Sequence, residues 1–124
     1  MQAFWTASRI HLFLAALMGA SGVALWAMAA HRAGGASLVT AAQFLLLHAC
    51  AVVGLTACRK QGLINNRTAS LGIAGLILGT LLFSGDLAAR AFLGTGLFAM
   101  AAPLGGSLLI AAWLVVGVAA LVRA

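Results

Sequence analysis

Four long stretches of this chain contain no Asp, Glu, Lys or Arg: residues 10–31, 33–58, 68–85 and 91–122. A helix needs about 20 residues to cross a hydrocarbon core of ~30 Å, so each block has the length of one crossing. The last block is longer than one span but too short for two spans and a turn. The rest of the composition closes off the alternatives. With 65% hydrophobic and 6% charged residues and a mean hydropathy of +1.16, a soluble domain of 124 residues could not hide its apolar surface, because about a third of a small domain's potential surface stays wet. Disorder is excluded by the same numbers, since disordered chains are poor in apolar residues and rich in charge. The expectation is an all-α integral membrane protein: one domain over residues 1–124, folded as an antiparallel four-helix transmembrane bundle with helices near 10–30, 38–58, 69–90 and 103–122.

Short connections make sequential helices antiparallel neighbours. Gly34-Gly35 breaks the chain after the first helix, and Ser37 is expected to cap the second. Arg59-Lys60-Gln61-Gly62 ends the second helix with cations and a glycine, and Asn65-Asn66 continues the turn. Thr68 is expected to cap the third helix. Gly94 and Gly96 loosen the last connection, and Pro103 suits the first position of the fourth helix, where a missing N–H costs nothing. The opening 30 residues imitate a signal peptide, but their apolar run exceeds the 7–15 residues usual for one. They are read as a true span.

Seven Lys/Arg against one acid give a net charge of +6. In a soluble domain this balance would suggest nucleic acid. Here the cations are Arg9, Arg32, Arg59, Lys60, Arg67, Arg90 and Arg123, scattered between apolar blocks as loop anchors, so no nucleic-acid partner is expected. An inside amino terminus puts Arg9, Arg59, Lys60, Arg67 and Arg123 in the cytoplasm and leaves Arg32 and Arg90 outside, which favours cytoplasmic termini. Trp5 and Trp26 fall near opposite ends of the first helix, as interfacial anchors would. Cys50 and Cys58, on one helix, would lie about 12 Å apart, beyond the roughly 7 Å a disulfide allows.

Lipid offers helices no hydrophobic reason to associate, so close packing of small residues must supply one. Gly72, Gly75 and Gly79 share one side of the third helix. Ala16, Ala20, Ala24 and Ala27 form a matching stripe on the first. On the fourth, Gly105-Gly106 open a side that continues through Leu109, Trp113 and Gly117.

The third-helix stripe runs on to Phe83, Asp86 and Arg90, so the only acid points toward the bundle, four residues before an arginine. The first-helix stripe runs on to His31. His31, Asp86 and Arg90 therefore form a candidate polar cluster on one membrane face. It is either a structural ion pair with histidine support or a small pocket that binds a ligand or moves protons. His48, near the middle of the second helix, is the deepest ionisable group. Desolvation disfavours its charged form, so it is expected to be neutral and hydrogen-bonded to another helix, as a structural residue or as part of a relay. Gln43 points elsewhere on that helix, and His11 reads as an interfacial residue beside Arg9.

Three histidines at inner, outer and middle depths do not face each other as haem ligands must. One Asp and no Glu allow no acid-rich metal cluster, phosphate loop or Ser/His/Asp set. No cofactor, metal or catalysis is expected. A four-helix drug exporter would need a membrane-embedded carboxylate in its first helix, which this chain lacks.

A set of short motifs resembles one family. These are Ala30-His31 ending helix one, Phe44 and His48-Ala49 in helix two, Leu82-Phe83-Ser84-Gly85-Asp86 in helix three, and Ala102-Pro103-Leu104-Gly105-Gly106 with Trp113 in helix four. Through them the chain resembles, over essentially all four helices, the bacterial family catalogued as domain of unknown function 423, whose animal relatives are called transmembrane protein 256. Ala27, Ala29-Ala30 and Ala112 stand where the family usually has glycine, which suggests looser local packing. The resemblance implies a small, multi-pass protein of the bacterial inner membrane and no particular activity. The expected role is non-enzymatic: an accessory protein packing with lipids, with other membrane proteins or with a second copy of itself. The alternative is a minor transporter or proton/solute pathway using His31, Asp86, Arg90 and the midplane His48.

Overall fold

The computed structural model describes residues 6–33 and 35–123; Trp5 and Gly34 lie outside the described residues. Four helices follow one another: α1 (Ala7–Ala30), α2 (Ala36–Lys60), α3 (Asn66–Leu93) and α4 (Ala101–Leu121). All four are long and apolar enough to cross a membrane. Each starts two or three residues before the first expected position. Reading spans from charge-free blocks trims their starts, because a first helical turn sits at headgroup depth and accepts polar side chains such as Ser8, Arg9 and Arg67.

The caps shift accordingly. Thr6 caps α1, its side chain accepting from Arg9 N. Gly35 precedes α2 with no side-chain cap, so Ser37 is a residue of the first turn, not the cap. Asn65 caps α3 and accepts from Thr68 N at 3.0 Å; Thr68 is the recipient of the cap rather than its source. Gly94 closes α3 in the left-handed conformation at φ 77°, where a Cβ would be strained. Pro103 is the third residue of α4, still within the first turn whose N–H groups have no helical acceptor.

Sequential helices pack side by side: α1 on α2, α2 on α3, α3 on α4. Helix α1 touches α3 lightly, and no backbone approach joins α1 to α4 among the described residues. One apolar core nevertheless threads all four, with Ala15 and Met18 from α1, Val52 from α2, Ile73 and Leu76 from α3, and Leu109 and Val116 from α4. Large apolar side chains such as Phe13, Val23, Leu71 and Leu114 face outward, as a lipid solvent permits.

Two packing faces differ from expectation. The alanine stripe of α1 (Ala16, Ala20, Ala24, Ala27) is exposed. The buried side is His11, Ala15, Met18, Gly22 and Ala29, with Leu25 packed against the core, in alternating steps of four and three that follow a 3.5-residue period. Gly72, Gly75 and Gly79 of α3 do not face α1. They meet α4: a Cβ on Gly72 would lie 2.8 Å from Val116 Cγ2, on Gly75 2.9 Å from Ala112 Cβ, and on Gly79 2.9 Å from Leu109 Cγ. On α4 the buried side runs Gly105, Leu109, Ala112, Val116 and Ala119, so Trp113 and Gly117 fall off it. Ala112, expected to loosen its surroundings, is buried tightly because Gly75 leaves it room.

Candidate functional site: a midplane groove between two closed helix ends

His48 is buried on the inner side of α2. Its Nδ1 lies 2.8 Å from the Phe44 carbonyl, one turn back, and its Nε2 lies 3.2 Å from Trp113 Nε1 on α4. A carbonyl can only accept and an indole N–H can only donate. The imidazole is therefore neutral, protonated on Nδ1, with both nitrogens used. This is the interhelical hydrogen bond expected of a midplane histidine, and Trp113 is its partner because that ring leans off the α3–α4 seam toward α2.

Around this pair the aromatic rings gather. Phe44 stacks on His48 with centroids 5.8 Å apart and meets Phe83 of α3 at 4.4 Å; the His48 and Trp113 rings are 6.0 Å apart. They border a cavity of about 320 Å³ lined by Phe44, Leu47, His48, Phe83, Gly106, Leu109, Ile110 and Trp113. Leu47, Ile110 and Trp113 are exposed and form its rim. Gly106 keeps the wall low beside Phe83, whose ring a Cβ there would just touch. Five of these lining residues (Phe44, His48, Phe83, Gly106 and Trp113) are among those that carry the family resemblance.

One turn beyond the groove, α3 is tied down. Ser84 Oγ donates to the Ala41 carbonyl of α2 at 3.0 Å. Asp86 is fully buried. Its Oδ2 accepts from Arg90 Nε at 2.9 Å, and its Oδ1 accepts the backbone N–H of Leu97 at 2.8 Å. The carboxylate thus fastens the α3–α4 connection back onto α3. Gly96 is part of this closure: a Cβ there would run into Asp86 Oδ1. Of the expected cluster, the structure brings Asp86 and Arg90 together and leaves His31 exposed at the end of α1. The α1 end reaches α3 through its neighbour instead: Arg32 Nη2 donates to the Ala91 carbonyl at 3.2 Å, and its guanidinium sits 4.9 Å over the Phe92 ring.

The opposite end holds a second polar group that the sequence reading missed. Arg59 is buried, donating through Nη1 to Asn66 Oδ1 at 2.8 Å and through Nη2 to Ser8 Oγ. These bonds tie the end of α2 to the starts of α1 and α3. Asn65 N donates to the Ala119 carbonyl at 2.8 Å, adding α4. His11 is buried here too and is not the interfacial side chain expected. The signal was present on α2: Val52, Thr56 and Arg59 continue one buried face, which carries the arginine inward.

Comparison with known proteins finds a family and a membrane-protein relative. The family model described as "Protein of unknown function (DUF423)" matches residues 25–106. A UPF0382 membrane protein of Haemophilus influenzae is 35% identical over 111 residues, covering 84% of this chain and 87% of that relative. No solved structure matches.

Proposed function

The chain belongs to the family described as protein of unknown function DUF423 and is, like its relative, a membrane protein, with four helices able to span a membrane; from that premise we propose that it works without catalysis, as an accessory protein of the bacterial inner membrane. Its midplane groove takes a lipid chain or an apolar helix of another membrane protein.

The observation that carries this reading is how the polar atoms beside the groove are used. His48 and Trp113 satisfy each other, and both carboxylate oxygens of Asp86 are taken by Arg90 and Leu97. No acid–base group is left to work on a substrate in the groove, whose remaining lining is aliphatic and aromatic. Such a surface recognises apolar shape. Gathering Arg9, Arg59, Lys60, Arg67 and Arg123 at the end that carries the chain termini supports a cytoplasmic position for that end.

A photoreactive residue placed at Ile110, on the groove rim, should crosslink a discrete lipid or protein species in native membranes; the same probe at Gly117, on the open side of α4, should give only diffuse labelling. Identical labelling at both positions would remove the groove from the argument. Proton or solute flux in liposomes that His48→Ala or Asp86→Asn abolishes would overturn the accessory reading in favour of a transport pathway.

A further inference from the structure

The Arg59 end of the bundle has a charge that none of the described residues neutralises. Arg59 is 8% exposed, His11 8% and Thr56 2%. Three of their polar atoms, Arg59 Nε, His11 Nδ1 and Thr56 Oγ1, are buried with no hydrogen-bond partner among the described residues. They belong to one place. Thr56 and Arg59 are one turn apart on α2, Ser8 and His11 one turn apart on α1, and the Arg59–Ser8 hydrogen bond joins the two pairs. His11 lies in the field of Arg59.

The partners Arg59 does have, Ser8 and Asn66, are neutral. They satisfy two donors and leave the charge. A buried cation is normally met by a counter-charge, because desolvating it alone costs several kcal/mol. The carboxyl end of α2 contributes about half a negative charge, and the starts of α1 and α3, which meet it at the same end, contribute the opposite sign. The one acidic side chain, Asp86, cannot help: it is twenty residues along α3 from Asn66, about 30 Å away, and already bound to Arg90. Among the described residues, none supplies an anion to Arg59. Arg59 is the penultimate residue of α2 and contacts the first residue of α3, at the depth where headgroup phosphates lie.

The geometry points to an anion site at this end of the bundle that takes the phosphate of a phospholipid headgroup, with Arg59 Nε, Thr56 Oγ1 and His11 Nδ1 as its unspent polar groups. A guanidinium suits phosphate oxygens in charge-assisted hydrogen bonds. The site is separate from the groove, some two turns or more along the helices, and stands whether or not the groove binds anything.

The test is native mass spectrometry of the full chain released from detergent micelles containing phosphatidylglycerol. The wild type should retain one phosphatidylglycerol. Arg59→Gln, which keeps a hydrogen-bonding side chain and removes the charge, should lower that occupancy about tenfold, the loss of one charge-assisted contact. Thr56→Val should lower it less, and it decides the matter if Arg59→Gln does not fold. Arg67→Gln, removing an exposed cation one residue beyond Asn66, should leave it unchanged. Equal retention by wild type, Arg59→Gln and Thr56→Val overturns the proposal, as does an equal loss in Arg67→Gln, which would mean general surface charge. Inorganic phosphate that binds one to one and displaces the lipid would overturn the headgroup as the source and assign the site to a free anion.

Discussion

Helices α3 and α4 meet backbone to backbone, whereas α1 and α2 meet through side chains. A Cβ added at Gly105 would lie 2.6 Å from Phe83 N and 2.9 Å from the Gly79 carbonyl, groups that cannot move unless the helices part. Within the two helices, a Cβ at Gly22 on the α1–α2 seam would lie 2.7 Å from Leu46 Cγ and 3.0 Å from its Cδ2, the far end of a flexible side chain, with Leu45 Cβ next at 3.2 Å; backbone closes on backbone only at the connection, where a Cβ on Gly35 would lie 2.6 Å from the Ala29 carbonyl. In a membrane, where dispersion and polar contacts must hold helices together, the first seam has one allowed geometry and the second can adjust. The more rigid seam also bears one wall of the midplane groove: Gly105-Gly106 and Phe83 position the cavity that Trp113 closes against His48.

That contrast can be broken by measuring unfolding free energies in mixed micelles. The largest loss is expected for Gly105→Ala, about 3 kcal/mol, since overpacking against backbone has no local relief. Trp113→Phe keeps an aromatic side chain but deletes the N–H and part of the ring system, leaving His48 Nε2 buried without a donor, and should cost about 2 kcal/mol. Gly22→Ala should cost only about 1 kcal/mol, because Leu46 can change rotamer; a cost equal to that of Gly105→Ala would erase the distinction between the seams. Gly117→Ala, where an added methyl meets nothing within 4 Å, should raise stability by about 0.5 kcal/mol through helix propensity. A loss there would mean that the open side of α4 is covered by something in the micelle.

The two ends of the bundle differ as well. At one, Asp86 has a cation and a backbone N–H, and its charge is answered inside the chain. At the other, Arg59 has neutral oxygens and an unpartnered Nε. The first arrangement was readable because Asp86 and Arg90 are four residues apart on one helix, a spacing that makes them neighbours in any fold. The second was not, because a cation at a helix end looks the same whether it turns out to water or in toward Ser8. His31 illustrates the same limit: a wheel extended past the end of α1 aimed it at Asp86, yet the chain leaves the helix there and Arg32 makes the link to α3.

The spacing of charges along the chain determined the solvent, the number of spans, their order and their antiparallel run, since a hydrocarbon slab of fixed thickness selects apolar segments by length. It also determined that a midplane histidine would need a partner. Which residue that is, which glycine face meets which helix, and which arginine is buried were decided only by the tertiary structure. In water, polarity marks the outside of a helix; in lipid both sides are apolar, so Ala16, Ala20 and Ala24 can face outward while Ala15, Met18 and Gly22 face inward with nothing in their chemistry to tell the two sets apart. Only the fit of one helix surface against the next distinguishes them.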